Sequence, residues 1–279
     1  KLVSAHGRAC DPVAEVLAHP QVFFLTGGGD TPATLCAKLT AAGLGAAHAL
    51  VGENLGTPAE AIRFGLAREL AEQSFAPLSV LLIEREALPS RRTPGLPDDA
   101  FIRGAVPMTK QEVRAAALAK LAVTPKDTLW DVGAGTGSVS VELALAAPAG
   151  QVYAVECDPE ACALIQQNRE KFAAYNLTLI EGKAPDALDA LPAPDAVFIG
   201  GTKGNMDAVI DAVLHKNPVA RLCITAIALE TLSAAVAALT AHGLSAEVTQ
   251  IAVSRTKTAG SLHLLMANNP VFLITGART

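Results

Sequence analysis

The sequence predicts an α/β protein of two domains, and three observations carry that expectation. An apolar run, alternating glycines and a helix-compatible segment follow one another over Thr128-Leu-Trp-Asp-Val-Gly-Ala-Gly-Thr-Gly-Ser-Val-Ser-Val-Glu142, the order of a strand, a ligand loop and a helix. Strand-then-helix alternation recurs on both sides of it. Between the two sets of alternations, residues 87–99 hold three prolines, a glycine and four charges, the composition of a boundary. The domains therefore read as 1–88 and 98–279, joined by 89–97.

In the first domain, residues 2–8 read as a strand running into a loop, and residues 22–25 as a second strand before Thr26-Gly-Gly-Gly-Asp30. Asp30 or Thr31 would cap a helix that Pro32 opens, with Leu35, Leu39 and Ala42 on its buried face and Gly43 as its stop. Residues 49–51 form a short strand. Thr57 would cap a helix over 58–73, and residues 78–83 form a continuous apolar strand. The imidazole and guanidinium of His6 and Arg8 could meet an anion, although His-Gly-Arg also reads as an ordinary turn.

In the second domain, Thr109 with Glu112 three residues later predicts a capped helix. Strands follow at 128–132, 151–155, 177–181, 196–199 and 221–226, with helices from about Ser138 and over 159–172 and 229–242. Residues 246–253 and 271–275 read as closing strands with no helix between them, which makes them an antiparallel pair. Residues 222–239 are apolar enough to suggest a membrane span, but Glu230 interrupts the run and a strand and helix account for it.

Across 279 residues, apolar side chains make up 51% and aromatic ones 4%, which suits helix-rich layers of small aliphatic side chains. A net charge of −5 argues against nucleic acid or an acidic membrane as partner. The five cysteines, at 10, 36, 157, 162 and 223, include no C-x-x-C pair and no ligand-spaced histidine, so they read as reduced thiols in a cytoplasmic protein without metal. The chain opens with Lys1 on an apparent strand, which suggests that further polypeptide precedes it.

The glycine loop defines the candidate site. Glycine lets a ligand approach the backbone, and helix N-terminal amides point into the same space. Glu156 ends the next strand, about twenty residues on, where a carboxylate can accept from both ribose hydroxyls. Two cofactors compete. A dinucleotide loop, as in a nicotinamide dehydrogenase, needs G-x-G-x-x-G, but its third glycine position is Ser138. The observed Gly133-x-Gly135-x-Gly137, preceded by Asp131, suits S-adenosylmethionine, whose ammonium and sulfonium favour a nearby acid. The turn after the fourth strand, Gly200-Gly-Thr-Lys203, lacks the Asn/Asp-Pro-Pro-aromatic pattern of amino-group methylation and holds no cysteine nucleophile. The acceptor must therefore bring its own electron-rich atom.

Residues 98–279 resemble the decarboxylating methyltransferases of corrin synthesis from end to end. The motifs are Pro107-Met-Thr-Lys-Gln-Glu-Val-Arg114, Asp131-Val-Gly-Ala-Gly-Thr-Gly137, Gly182-Lys-Ala-Pro185, Phe198-Ile-Gly-Gly201 and Asn269-Pro-Val-Phe-Leu-Ile-Thr-Gly276. Ser4-Ala-His-Gly-Arg8, Leu25-Thr-Gly-Gly-Gly-Asp-Thr-Pro32 and Gly52-Glu-Asn-Leu-Gly56 resemble the later half of the tetrapyrrole methylase module that modifies ring carbon five. Both modules, in this order, are similar to the precorrin C(5,15)-methyltransferase family.

The resemblance implies a class I S-adenosylmethionine methyltransferase domain, Rossmann-like, with seven strands and the last antiparallel, after a partial tetrapyrrole methylase domain. It implies methylation at C15 with loss of the ring C acetate carboxyl, methylation at C5 in the full-length enzyme, and a homo-oligomer. Methylation of RNA or protein is the alternative within the class. Cofactor contacts would come from Thr109, Asp131, Gly133, Ala134, Gly135, Thr136, Gly137, Glu156, Cys157, Lys183, Ala184 and Gly200. Arg103, Lys110, Arg114, Lys203, Arg255 and Lys257 would face the carboxylates of a precorrin.

Overall fold

A computed structural model describes residues 1–7, 10–85 and 94–278. The chain divides into two compact units, Lys1–Ser90 and Arg91–Thr279. Arg8 and residues 89–93, to which the sequence assigned an anion contact and part of the linker, lie outside the described residues.

The first unit is a mixed five-stranded sheet with short helices. Its elements are β1 (Leu2–Ser4), α1 (Pro12–Ala18), β2 (Gln21–Leu25), α2 (Pro32–Ala41), β3 (His48–Glu53), β4 (Ala61–Leu66), α3 (Ala67–Leu70) and β5 (Ser79–Glu84), in sheet order β1-β2-β5-β3-β4. Thr31 caps α2 by accepting from the Thr34 amide at 3.2 Å, and Leu35, Cys36 and Leu39 are fully buried beneath it.

The helix expected over 58–73 is replaced by β4 and the single turn α3. Ile62 and Phe64 on β4 favour extended backbone. Pairing with β3 decides the outcome: Arg63 lies opposite Val51, and its Nε donates to Glu53 Oε2 at 2.8 Å. Thr57 caps only a local turn, accepting from the Ala59 amide. His6 packs over the triple glycine so tightly that a Cβ on Gly27 would lie 1.8 Å from its Nδ1, so its ring is a structural part of the turn.

The second unit contains α4 (Gln111–Leu121), β6 (Thr128–Val132), α5 (Ser138–Ala146), β7 (Gln151–Glu156), α6 (Pro159–Lys171), β8 (Leu177–Glu181), β9 (Ala196–Ile199), α7 (Met206–Lys216), β10 (Arg221–Ala226), α8 (Leu229–Ala241), β11 (Leu244–Ile251), β12 (Ser254–Ala259), β13 (Leu262–Ala267) and β14 (Val271–Arg278). Among the described residues its main sheet has seven strands in the order β11-β14-β10-β9-β6-β7-β8. The five strands from β10 to β8 are parallel, while β14 runs antiparallel to both β10 and β11. The order reverses at β6, so a crevice opens between the turns after β6 and β9.

Parallel strands covered on both faces are apolar throughout. Leu129 packs into one layer of the core, while Trp130 and Val132 pack into the other. Among the described residues the ribbon of β12 and β13 pairs only with itself, and it was not expected from the sequence. Leu262, Leu264, Leu265 and Met266 are exposed on it. Among the described residues no helix is long and apolar enough to cross a membrane.

Candidate active site

The loop after β6 is shaped by its glycines. Gly133, Gly135 and Gly137 have φ of 72°, 56° and 73°, in the left-handed region where a Cβ is disfavoured. A Cβ on Gly133 would also lie 2.3 Å from the Gly201 carbonyl oxygen, and one on Gly200 would lie 2.9 Å from the Gly133 carbonyl oxygen. The turns after β6 and β9 thus meet backbone to backbone. Gly137 is the N-cap of α5 and packs against Ile165, whose Cα would be 3.2 Å from an added Cβ.

Glu156 closes β7 beside this loop. Its Oε2 accepts from the Gly135 amide at 2.9 Å, and its Oε1 accepts from the amides of Cys157 and Asp158 at 2.7 and 3.0 Å. Three backbone donors fix the carboxylate where two depressions meet. The larger, about 830 Å³, is lined by the glycine loop through Thr136, by Glu156, by Gly200 to Gly204 and by Thr109, Lys110 and Val113. The smaller, about 140 Å³, is lined by Cys157, Lys183 and Ala184 and shares Gly133, Glu156 and Lys203 with the first. Thr136 Oγ1 is buried without a hydrogen-bond partner.

These features fit S-adenosylmethionine: a glycine cradle that a Cβ would fill, a carboxylate held beside it by backbone amides, and a second depression next to both. The far wall of the larger cavity is formed by Thr225 to Ala228, Thr231, Asn268, Asn269 and Val271. None of them was a candidate site residue from the sequence, although Asn269 and Val271 lie in the motif of residues 269–276; the signal was their position at the end of β10, the start of α8 and the entry to β14.

Several expected roles change. Asp131 is fully buried and does not line the cavity. It sits on the face of β6 covered by α5, where its Oδ2 accepts from Ser140 Oγ. Burial pushes its carboxyl up to about 7, against the hydrogen bond from Ser140 and with the help of Glu156. Asp131 thus lies behind the loop against α5, and its other oxygen, Oδ1, is buried without a hydrogen-bond partner among the described residues.

Thr109 does not cap α4. Lys110 takes the N-cap position without a side-chain bond, and Asp98 Oδ1 accepts from the Gln111 amide at 2.9 Å instead.

Arg114 is fully buried, which removes it from the substrate candidates. Its guanidinium donates to Asp98, Glu142 and the carbonyls of Thr109 and Leu96, and it lies 4.6 Å from the centre of the Phe101 ring. Burial alone would raise Asp98, but Arg114 and then Arg255 outweigh it and hold that carboxyl below its usual range. Arg255 is likewise engaged, with Nη2 2.7 Å from Glu112 Oε2 and Nη1 2.9 Å from Asp98 Oδ2. Neither Arg103 nor Lys257 lines the cavity; both are exposed, one on the entry loop and one on the ribbon.

Of the six cations, Lys110 and Lys203 line the cavity. Lys203 Nζ lies 3.1 Å from Cys157 Sγ, and that thiol is exposed whereas Cys36, Cys162 and Cys223 are buried.

The sheet order, the glycine loop and the acidic end of β7 define the second unit as a class I S-adenosylmethionine-dependent methyltransferase. Residues 99–277 match the precorrin methyltransferase domain family. A probable cobalt-precorrin-6B C(15)-methyltransferase (decarboxylating) of Pyrobaculum calidifontis is 46% identical over 186 residues, covering 66% of this chain and 95% of that protein. The precorrin-6Y C(5,15)-methyltransferase (decarboxylating) of a Sinorhizobium species is 39% identical over 219 residues, or 77% of this chain and 52% of that protein. The chain thus spans about half of this longer relative.

The crystal structure of precorrin-6Y C5,15-methyltransferase from Geobacter metallireducens superposes with a TM-score of 0.64 at 39% identity, covering 68% of this chain and 98% of that one. The chain belongs to the precorrin methyltransferase domain family.

Proposed function

We propose that the second unit methylates C15 of a precorrin and promotes loss of carbon dioxide from its ring C acetate. The observation that carries this reading is the glycine cradle with Glu156 at the mouth of an 830 Å³ cavity, in a chain whose relatives carry that activity in their names. When bound, S-adenosylmethionine supplies an electrophilic methyl group. The chain's own part is to hold and orient. Glu156 accepts from the ribose hydroxyls, the slot beside Lys183 and Ala184 takes the adenine, and Thr136 offers its free hydroxyl to the cofactor.

Lys110 and Lys203 would pair with carboxylates of the acceptor. An enamine-like ring carbon needs no protein nucleophile, so alignment dominates, and it can supply about 7–11 kcal/mol of the barrier. The conjugated ring takes the electron pair released with carbon dioxide. The first unit is read as part of a tetrapyrrole methylase module, with C5 methylation belonging to the longer enzyme. A cytoplasmic homo-oligomer is expected, and the exposed leucines of the ribbon suit a contact between copies. A net charge of −5 counts against nucleic acid as acceptor.

The test is anaerobic incubation with S-adenosylmethionine and the reduced precorrin, followed by product mass. One methyl gained with carbon dioxide lost supports the proposal, while an unchanged mass with cofactor bound points to another acceptor.

A further inference from the structure

We infer that Arg255 is a positioning residue that clamps together the two walls of the acceptor cavity. One wall is the start of α4, with Thr109, Lys110 and Val113; the other is the segment after the ribbon, with Asn268, Asn269 and Val271. Arg255 stands on the ribbon stem opposite Met266, two residues before Asn268, and the Asn268 amide donates to the Val253 carbonyl across the same stem at 2.9 Å. From there its guanidinium reaches the first wall. It bonds Glu112 through Nε and Nη2, at 3.2 and 2.7 Å, and Asp98 through Nη1.

A fork of this kind fixes direction as well as distance. A two-stranded ribbon is marginally stable alone, and within this unit no other described strand pairs with β12 or β13. Arg255 therefore sets where the ribbon stem lies, and with it the width of the cavity mouth.

The network divides its labour. Arg114, Glu142 and the inner oxygen of Asp98 form a buried cluster that is still paired when Arg255 is removed. Arg255 and Glu112 have side chains 40% exposed, so their loss changes the position of the walls more than the stability of the core.

This inference rests on the proposed precorrin acceptor for its kinetic readout and on the fold alone for its second readout. In Arg255→Met, the acceptor KM rises about three- to tenfold, and amide hydrogen exchange in residues 254–269 accelerates by a similar factor. Cofactor affinity measured by calorimetry stays within about twofold, and the melting temperature changes little. Arg255→Lys, which keeps the charge and loses the fork, restores part of the KM. Glu112→Gln reproduces the KM increase and is non-additive with Arg255→Met.

An unchanged KM with unchanged exchange overturns the clamp. So does a parallel fall of melting temperature and cofactor affinity, which would make Arg255 part of the core. If the parent protein fails to turn over the precorrin, the proposed function falls, and the exchange of the ribbon in Arg255→Met alone decides the clamp.

Discussion

Arg114 and Glu142 form an ion pair inside the core of the second unit, Nε to Oε1 at 2.7 Å, with side chains 0% and 1% exposed. The pair joins α4, which borders the cavity, to α5, which starts at the glycine loop. Removing one partner leaves a buried charge without its counter-ion, so Arg114→Met should cost about 3–5 kcal/mol. The chain's single tryptophan, Trp130, is fully buried in this unit, and urea unfolding followed by its fluorescence measures the loss. A change below about 1 kcal/mol would contradict the pairing.

Gly133 and Gly204 both have positive φ, 72° and 92°, but their surroundings differ. A Cβ on Gly133 meets Gly201 backbone, whereas one on Gly204 meets nothing within 4 Å. Gly204→Ala should cost about 1 kcal/mol of backbone strain and leave cofactor binding intact. Gly133→Ala must push the two turns apart, and calorimetry should find cofactor binding abolished.

Glu156 holds three backbone amides and faces both depressions. Glu156→Ala removes a charged acceptor worth about 1.5–3 kcal/mol, which is about ten- to a hundredfold in cofactor affinity. A dissociation constant unchanged in calorimetry would refute the ribose assignment.

Asp131 binds its proton more tightly in the native state than in the unfolded chain, because burial pushes its carboxyl up to about 7. Its contribution is therefore most favourable below about pH 4 and is lost as the pH rises through about 7. Asp131→Asn has no such proton to lose. Relative to the parent protein, the variant should gain on the order of a few kcal/mol between pH 4 and pH 8, read from urea unfolding at both ends. A pH-independent difference would contradict the raised carboxyl.

Much of the catalytic fold was legible because buried parallel strands are apolar along their whole length; the strands at 177–181, 196–199 and 221–226 have the bounds expected. The antiparallel close was legible from the missing helix between β11 and β14. The ribbon was not. Ser254-Arg-Thr-Lys-Thr-Ala259 is polar on both faces, and Leu262-His-Leu-Leu-Met-Ala267 is largely apolar on both, so neither carries a period of two. β4 was misread because its partner strand decides its conformation, and pairing is not a local property.

Within the site, Glu156 and the glycines announced themselves by spacing. Asp98 could not, since it caps α4 from thirteen residues upstream. The burial of Arg114 depends on Glu142, 28 residues away, in a helix that otherwise reads as plain core.

The placement of β14 governs how this unit can be made on the ribosome. β14 hydrogen-bonds to β10 on one side and β11 on the other, yet it emerges after both. Until residues 271–278 have left the ribosome, the nascent sheet keeps a vacant slot, with the β10 edge unpaired and β11 without a strand partner. Such edges invite intermolecular pairing, so slow translation downstream of β11 would prolong the interval in which the chain is most prone to aggregate.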